Sequence, residues 1–97
     1  MWYIGIDLHG YYMVISGVSK GRKFEGKRIE NKDEAGIRKY FKSLGKFKAV
    51  IEANGTYAWL YDLLKDIGGE VVIAHPLKLK AIASARVKTD NIMASVF

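Results

Sequence analysis

The strongest constraint on the fold is the alternation of amphipathic and fully apolar segments after residue 30. Two short apolar runs, Ala49-Val50-Ile51 and Val71-Val72-Ile73-Ala74, are typical of strands buried on both faces of a parallel sheet. Apolar residues at helical spacing precede each run: Ile37, Tyr40, Phe41 and Leu44 before the first, and Leu60, Leu63, Leu64 and Ile67 before the second. Because parallel strands need a crossover connection, this pattern predicts βαβ units.

The first thirty residues predict three antiparallel strands, over residues 3–8, 11–18 and 22–29, joined by short turns. The third strand is heavily charged, which favours an exposed edge position. The next strand is predicted over residues 47–53. The full order is β-β-β-α-β-α-β-α-α, with the last two helices predicted over residues 77–85 and from Thr89 or Asp90 onward.

This order predicts an α/β domain with a mixed five-stranded sheet, three antiparallel strands followed by βαβ units, and helices on its faces. It is characteristic of ribonuclease H-like folds, in which the first strand is central and lies beside the fourth. Asn31, followed by Glu34, is the expected N-cap of the first helix, and Thr56 that of the second. Residues 1–97 are expected to form a single domain.

Composition limits the function. The 97 residues include 16 Lys plus Arg, 10 Asp plus Glu and no Cys, for a net charge of +6. Disulfides, thiolate metal sites and a cysteine nucleophile are excluded, and a cytoplasmic location is expected. No signal peptide and no membrane-spanning run is visible, so no membrane partner is expected. The positive charge favours nucleic acid as a partner, although a solvated lysine-rich surface explains it equally well.

Two carboxylates interrupt apolar strands. Asp7 lies within the first strand and Glu52 near the end of the fourth. If these strands are parallel neighbours, both acids reach one edge of the sheet, where two buried carboxylates need a cation between them. Hard oxygen ligands suit Mg²⁺ or Mn²⁺. The alternative is that one or both side chains point into solvent.

Other polar residues are weaker candidates. His9 would share a face with Asp7, although a turn histidine is commonly just exposed. His75 follows the fifth strand, where ligands bind in open α/β sheets. Asp90 on its own is most simply a helix cap. A strip of basic residues suits phosphate contacts or, almost equally, a solvated helix face: Lys78, Lys80, Arg86 and Lys88.

Several segments together resemble the amino-terminal domain of DEDD-type insertion-sequence transposases, a Holliday-junction-resolvase-like domain. The matching segments are residues 3–9, 50–55, 59–64, 74–78 and 80–90, in the family's order and spacing across essentially the whole chain. The stretch from His75 to Asp90 is the most specific of them, because it is too long to arise by chance.

The family's acidic set is Asp, Glu, Asp and Asp, and Asp7, Glu52 and Asp90 match the first three. The fourth acid belongs three residues after the third, where this chain has Met93, and a thioether cannot replace a carboxylate toward magnesium. The chain stops at Phe97, so the family's serine-containing domain is expected to be missing. Because of these two departures, we expect the chain to be a decayed or truncated element that is inactive as it stands.

The resemblance implies DNA cleavage and joining at mobile-element ends, with DNA as partner, Mg²⁺ or Mn²⁺ as cofactor and a guide RNA in some members. Self-association is left open. Two alternatives remain. One is a non-catalytic remnant that binds nucleic acid through its basic surface. The other is a fragment of an actin-like sugar kinase, whose first phosphate loop is similar to Gly5-Ile6-Asp7-Leu8 but usually continues with Gly and Thr.

Overall fold

A computed structural model describes residues 1–53 and 55–74. Its elements are β1 (Trp2–Leu8), β2 (Tyr12–Ser19), β3 (Arg22–Glu30), α1 (Glu34–Ser43), β4 (Phe47–Ala53), α2 (Ala58–Asp66) and β5 (Glu70–Ala74). Neither of these two helices has the length and apolar character needed to cross a membrane. The helices predicted further along the chain lie outside the described residues.

The strands form one mixed sheet in the order β3-β2-β1-β4-β5. Strand β1 is central and pairs antiparallel with β2 and parallel with β4, while β5 adds to β4 in parallel. The predicted fold class is therefore confirmed, including the edge position of β3 and the adjacency of the first and fourth strands. The strand bounds differ from the predicted ones by one residue at most.

The core lies between one face of the sheet and both described helices. Along β1 every second residue is buried, so that strand presents Trp2, Ile4, Ile6 and Leu8 to the helices. The helices contribute Ile37, Phe41, Leu60, Leu63 and Leu64 to the same cluster. In the described part of the chain no helix covers the opposite face, which we call the open face.

Both predicted helix caps are wrong. Helix α1 is capped by Asp33, whose Oδ1 accepts a hydrogen bond from the Gly36 amide at 3.0 Å. Asn31 instead belongs to the preceding turn, where its Nδ2 donates to the His9 carbonyl at 2.7 Å. Helix α2 has Tyr57 at its N-cap, with no side-chain hydrogen bond. Asn31 does not cap α1, because its side-chain amide is hydrogen-bonded to His9, a residue distant in sequence.

Arg38 joins the two helices on their outer side. It donates to Asp66 of α2 at 2.8 Å and to Glu34 of its own helix at 3.1 Å. The hydrogen bond to Asp66, followed by that to Glu34, raises the pKa of Arg38 above its usual range. Because all three side chains are solvent-accessible, this network fixes the helix pairing more than it adds to stability.

Gly17 provides a test of how tightly β2 packs. A Cβ at this position would lie 2.6 Å from Cε1 of Phe24 and 2.7 Å from Cδ1 of Ile4. We expect Gly17→Ala to lower the free energy of unfolding by about 1–3 kcal/mol, the usual range for overpacking. Gly5→Ala is the control, because a Cβ there meets nothing within 4 Å. Urea unfolding of both variants checks the difference, and equal stabilities would contradict the packing around Gly17.

Candidate metal-binding carboxylate pair

Asp7 and Glu52 are direct neighbours across the two central strands. In the parallel pairing of β1 with β4, Asp7 is in register with Glu52. Residues in register on adjacent strands point to the same face, so both carboxylates lie on the open face, near the carboxyl ends of their strands. The juxtaposition predicted from the sequence is present, while a role in metal binding stays a prediction.

The expected burial of these acids is wrong. The Asp7 side chain is 63% exposed, and Glu52 is exposed too. The reason is the two-residue period of β1, which directs Ile6 and Leu8 to the helices and Asp7 away from them. Both side chains therefore point into solvent, as the alternative interpretation stated, but they do so from the same face and from paired positions.

A shallow depression of about 320 Å³ lies beside the carboxylates on the open face. Its lining combines the two acids with small and apolar side chains: Gly5, Asp7, Val14, Ser16, Val50 and Glu52. Gly5 has no side chain to fill the depression, and no atom lies within 4 Å of where its Cβ would stand. Among the described residues, no side chain therefore has to move for an extended, flat ligand to reach the carboxylates.

His9 contacts Asp7 directly. Its Nε2 lies 3.1 Å from Oδ2 of Asp7, and its ring stacks on Tyr12 at a centroid distance of 4.7 Å. A proton on Nε2 makes this contact a hydrogen bond from His9 to the carboxylate, and the stacking limits the ring's rotation. His9 thus orients Asp7 and leaves the other carboxylate oxygen, Oδ1, available to a ligand.

The pair lacks a lysine or arginine partner in residues 1–53 and 55–74. The basic side chains nearest along the sheet are engaged elsewhere: Lys48 with Glu70 at 3.6 Å and Arg28 with Glu30 at 3.3 Å. Like charges directly opposite each other on neighbouring strands destabilise a sheet. A divalent cation between the two carboxylates would relieve that repulsion.

The donor atoms fit a hard divalent cation. Asp7 and Glu52 offer carboxylate oxygens, the ligands that Mg²⁺ and Mn²⁺ prefer. Among the described residues no group of three or more His, Cys, Asp or Glu side chains is arranged to hold a metal ion. The described residues thus supply two of the three predicted ligands, and the third, Asp90, lies outside them.

A second cleft, of about 390 Å³, opens at the carboxyl ends of β1 and β4. His9 and Asn31 line one side of it, and Thr56 and Trp59 from the start of α2 line the other. The Oδ1 atom of Asn31 is buried and has no hydrogen-bond partner. Ligands of open α/β sheets bind at this kind of crevice, beyond the ends of the parallel strands.

The remaining predicted site residues fall outside the described part of the chain. These are His75, Asp90, Met93 and the basic strip of Lys78, Lys80, Arg86 and Lys88. Their predicted roles therefore stay predictions.

Sequence reasoning missed Tyr12 and Arg28. The guanidinium carbon of Arg28 lies 3.9 Å from the centroid of the Tyr12 ring, which also stacks on His9, just after β1 in sequence. The only signal in the sequence was an aromatic residue in β2 and a basic residue in β3. Their pairing depends on the β2–β3 register, which changes at a bulge between Ile15 and Gly17.

Comparison with solved structures identifies the architecture. The chain is similar to T. thermophilus RuvC in complex with a Holliday junction substrate, with a TM-score of 0.61, 12% sequence identity, and coverage of 92% of this chain and 73% of that one. The chain has a ribonuclease H-like fold. At this identity the similarity concerns the ribonuclease H-like fold alone, because one fold hosts many functions.

A more distant structural similarity is to the Aquifex aeolicus member of the Ppx/GppA protein family. It has a TM-score of 0.43 and 14% identity, and covers 81% of this chain and 36% of that one. No protein-family model and no curated protein matches the sequence.

Proposed function

We propose that this chain is the amino-terminal domain of a DEDD-type insertion-sequence transposase and acts on DNA at the Asp7–Glu52 pair. The observation that supports the proposal most is the register of these two acids on the central parallel strands of a ribonuclease H-like sheet. The similarity to RuvC in complex with a Holliday junction supports DNA as the partner. A guide RNA and self-association are carried over from the family resemblance alone.

In this proposal Asp7, Glu52 and Asp90 hold Mg²⁺ or Mn²⁺, and His9 keeps Asp7 in position. A bound divalent ion supplies an activated water or hydroxyl nucleophile and neutralises charge on the leaving oxygen. The protein contributes oxygen ligands on two rigid strands and an open face that admits a phosphate backbone. Positions on strands are held more accurately than positions on loops, which suits a reaction that depends on alignment.

Met93 favours low activity, because magnesium demands near-ideal octahedral coordination and the family's fourth carboxylate is missing. The same residue supports the second candidate, a remnant that binds nucleic acid without cleaving it. Metal binding discriminates the two. A transposase domain binds Mn²⁺ through the acidic set, whereas a remnant retains DNA binding with no Mn²⁺ site.

Met93→Asp tests the proposal, because it returns a carboxylate one helical turn after Asp90. We expect calorimetry to show Mn²⁺ affinity about 10–100-fold higher than in the unchanged chain, the range that loss of a supporting group commonly spans. Met93→Asn is the matched control, since it has the same size and no charge. Equal Mn²⁺ affinity in the Asp and Asn variants would show that residue 93 is not at the metal site.

A further inference from the structure

A third, basic cleft lies away from the carboxylates, between the edge strand β3 and helix α1. Its volume is about 450 Å³, and its cationic residues are Lys27, Arg28 and Lys39. Residues 22–43, which span both of these elements, contain 8 basic and 4 acidic side chains, a net charge of +4. This segment thus accounts for much of the +6 net charge of the whole chain.

Both acidic residues that line the cleft already have hydrogen-bond partners. Asp33 caps α1 through its bond to the Gly36 amide, and Glu30 accepts from Arg28 at 3.3 Å. In residues 1–53 and 55–74, neither Lys27 nor Lys39 forms an ion pair. The cleft therefore presents two uncompensated ammonium groups, which is the chemistry that binds a phosphate chain.

Aromatic rings hold two of the three cations in position. Lys27 Nζ lies 5.2 Å from the centroid of the Tyr40 ring, and Arg28 packs over Tyr12 at 3.9 Å. Burial raises the pKa of Tyr40, so its phenol is neutral under physiological conditions. A cation on a ring face keeps its N–H groups free to donate to phosphate, and its lower mobility reduces the entropy lost on binding.

Among the cleft's cations, Arg28 shares a face with the carboxylates, whereas Lys27, in register with the buried Ile15, points to the face that the helices cover. Val14 of β2 is in register with Arg28 on one side and with Asp7 on the other, so all three lie in one row across the sheet with Glu52. Two strand spacings separate Arg28 from Asp7, or about 10 Å.

We propose that the β3–α1 cleft binds the phosphate backbone of duplex DNA. This binding does not depend on the proposed function of the Asp7–Glu52 pair. Contacts of this type position the duplex and read no base sequence, because they involve only lysine, arginine and phosphate.

The test is the salt dependence of DNA binding by the full chain, measured by fluorescence anisotropy on a short duplex in EDTA. Lys27→Gln/Lys39→Gln removes two cations from the cleft. Each lost phosphate contact lowers the slope of log K against log salt by about 0.9, so we expect a decrease of about 1.8. Lys46→Gln/Lys65→Gln removes the same charge from exposed positions outside the cleft and should leave most of the slope in place.

An unchanged slope in the cleft variant would overturn the proposal, as would an equal decrease in the control variant. Calorimetry with Mn²⁺ separates this proposal from that of the carboxylate site. The cleft variant should bind Mn²⁺ as the unchanged chain does. A cleft-dependent slope in a chain that binds no Mn²⁺ would support the cleft and refute the metal site.

Discussion

Glu52→Gln is expected to have opposite effects on metal affinity and on the stability of the metal-free protein. Loss of an outer-shell group commonly lowers metal affinity 10–100-fold, so removing a carboxylate ligand should lower Mn²⁺ affinity by at least about 100-fold. In the metal-free state the same change relieves repulsion with Asp7, its partner in register. That relief should raise the free energy of unfolding by about 0.2–1 kcal/mol.

Lower Mn²⁺ affinity together with a higher free energy of unfolding distinguishes loss of a metal ligand from damage to the fold. Glu52 has no side-chain partner in residues 1–53 and 55–74, so its replacement breaks no side-chain hydrogen bond within that part of the chain. Asp62→Asn on α2 is the control: it removes an exposed carboxylate elsewhere and should leave Mn²⁺ affinity unchanged. Calorimetry and urea unfolding measure both quantities. A Glu52→Gln variant that binds Mn²⁺ normally would refute the metal site, whatever its stability.

The adjacency of Asp7 and Glu52 could be predicted from the order of the elements. That order is characteristic of ribonuclease H-like folds, in which the first strand is central and lies beside the fourth. The prediction was wrong about burial, because both acids lie on the exposed face of the sheet. Reading the segment from Tyr3 to Leu8 as an apolar run broken by one carboxylate hid the alternation of Ile4, Ile6 and Leu8 with Gly5 and Asp7. That alternation is the signal of a strand with one covered face.

The contacts around His9 were beyond sequence reasoning because they join elements distant in the chain. Asn31 donates to the carbonyl of His9, and its own amide N–H bonds to the Tyr11 carbonyl. The local pattern of Asn31 and Glu34 fits a capping box, but these bonds fix Asn31 in the turn. The same limit applies to Arg28, which meets Tyr12 only in the observed β2–β3 register.

Phe41→Ala should be the most destabilising single change in the described core. Phe41 is fully buried in α1 and packs against Phe47 of β4, with ring centroids 5.1 Å apart. Truncating a buried phenylalanine lowers stability by about 3–5 kcal/mol, because transfer free energy is lost and a cavity remains. Total stabilities of about 5–15 kcal/mol are usual, so this loss should leave a substantial unfolded fraction.

Tyr11→Ala is the matched aromatic control for this prediction. The Tyr11 side chain is 85% exposed in the turn between β1 and β2, so its removal should change stability by less than about 0.5 kcal/mol. Urea unfolding followed by circular dichroism compares both variants with the unchanged chain. If Phe41→Ala were no more destabilising than Tyr11→Ala, α1 would not be packed on the sheet through Phe41. The β3–α1 cleft would then lose one of its two walls, since Lys39 and Tyr40 are held against β3 by the same helix.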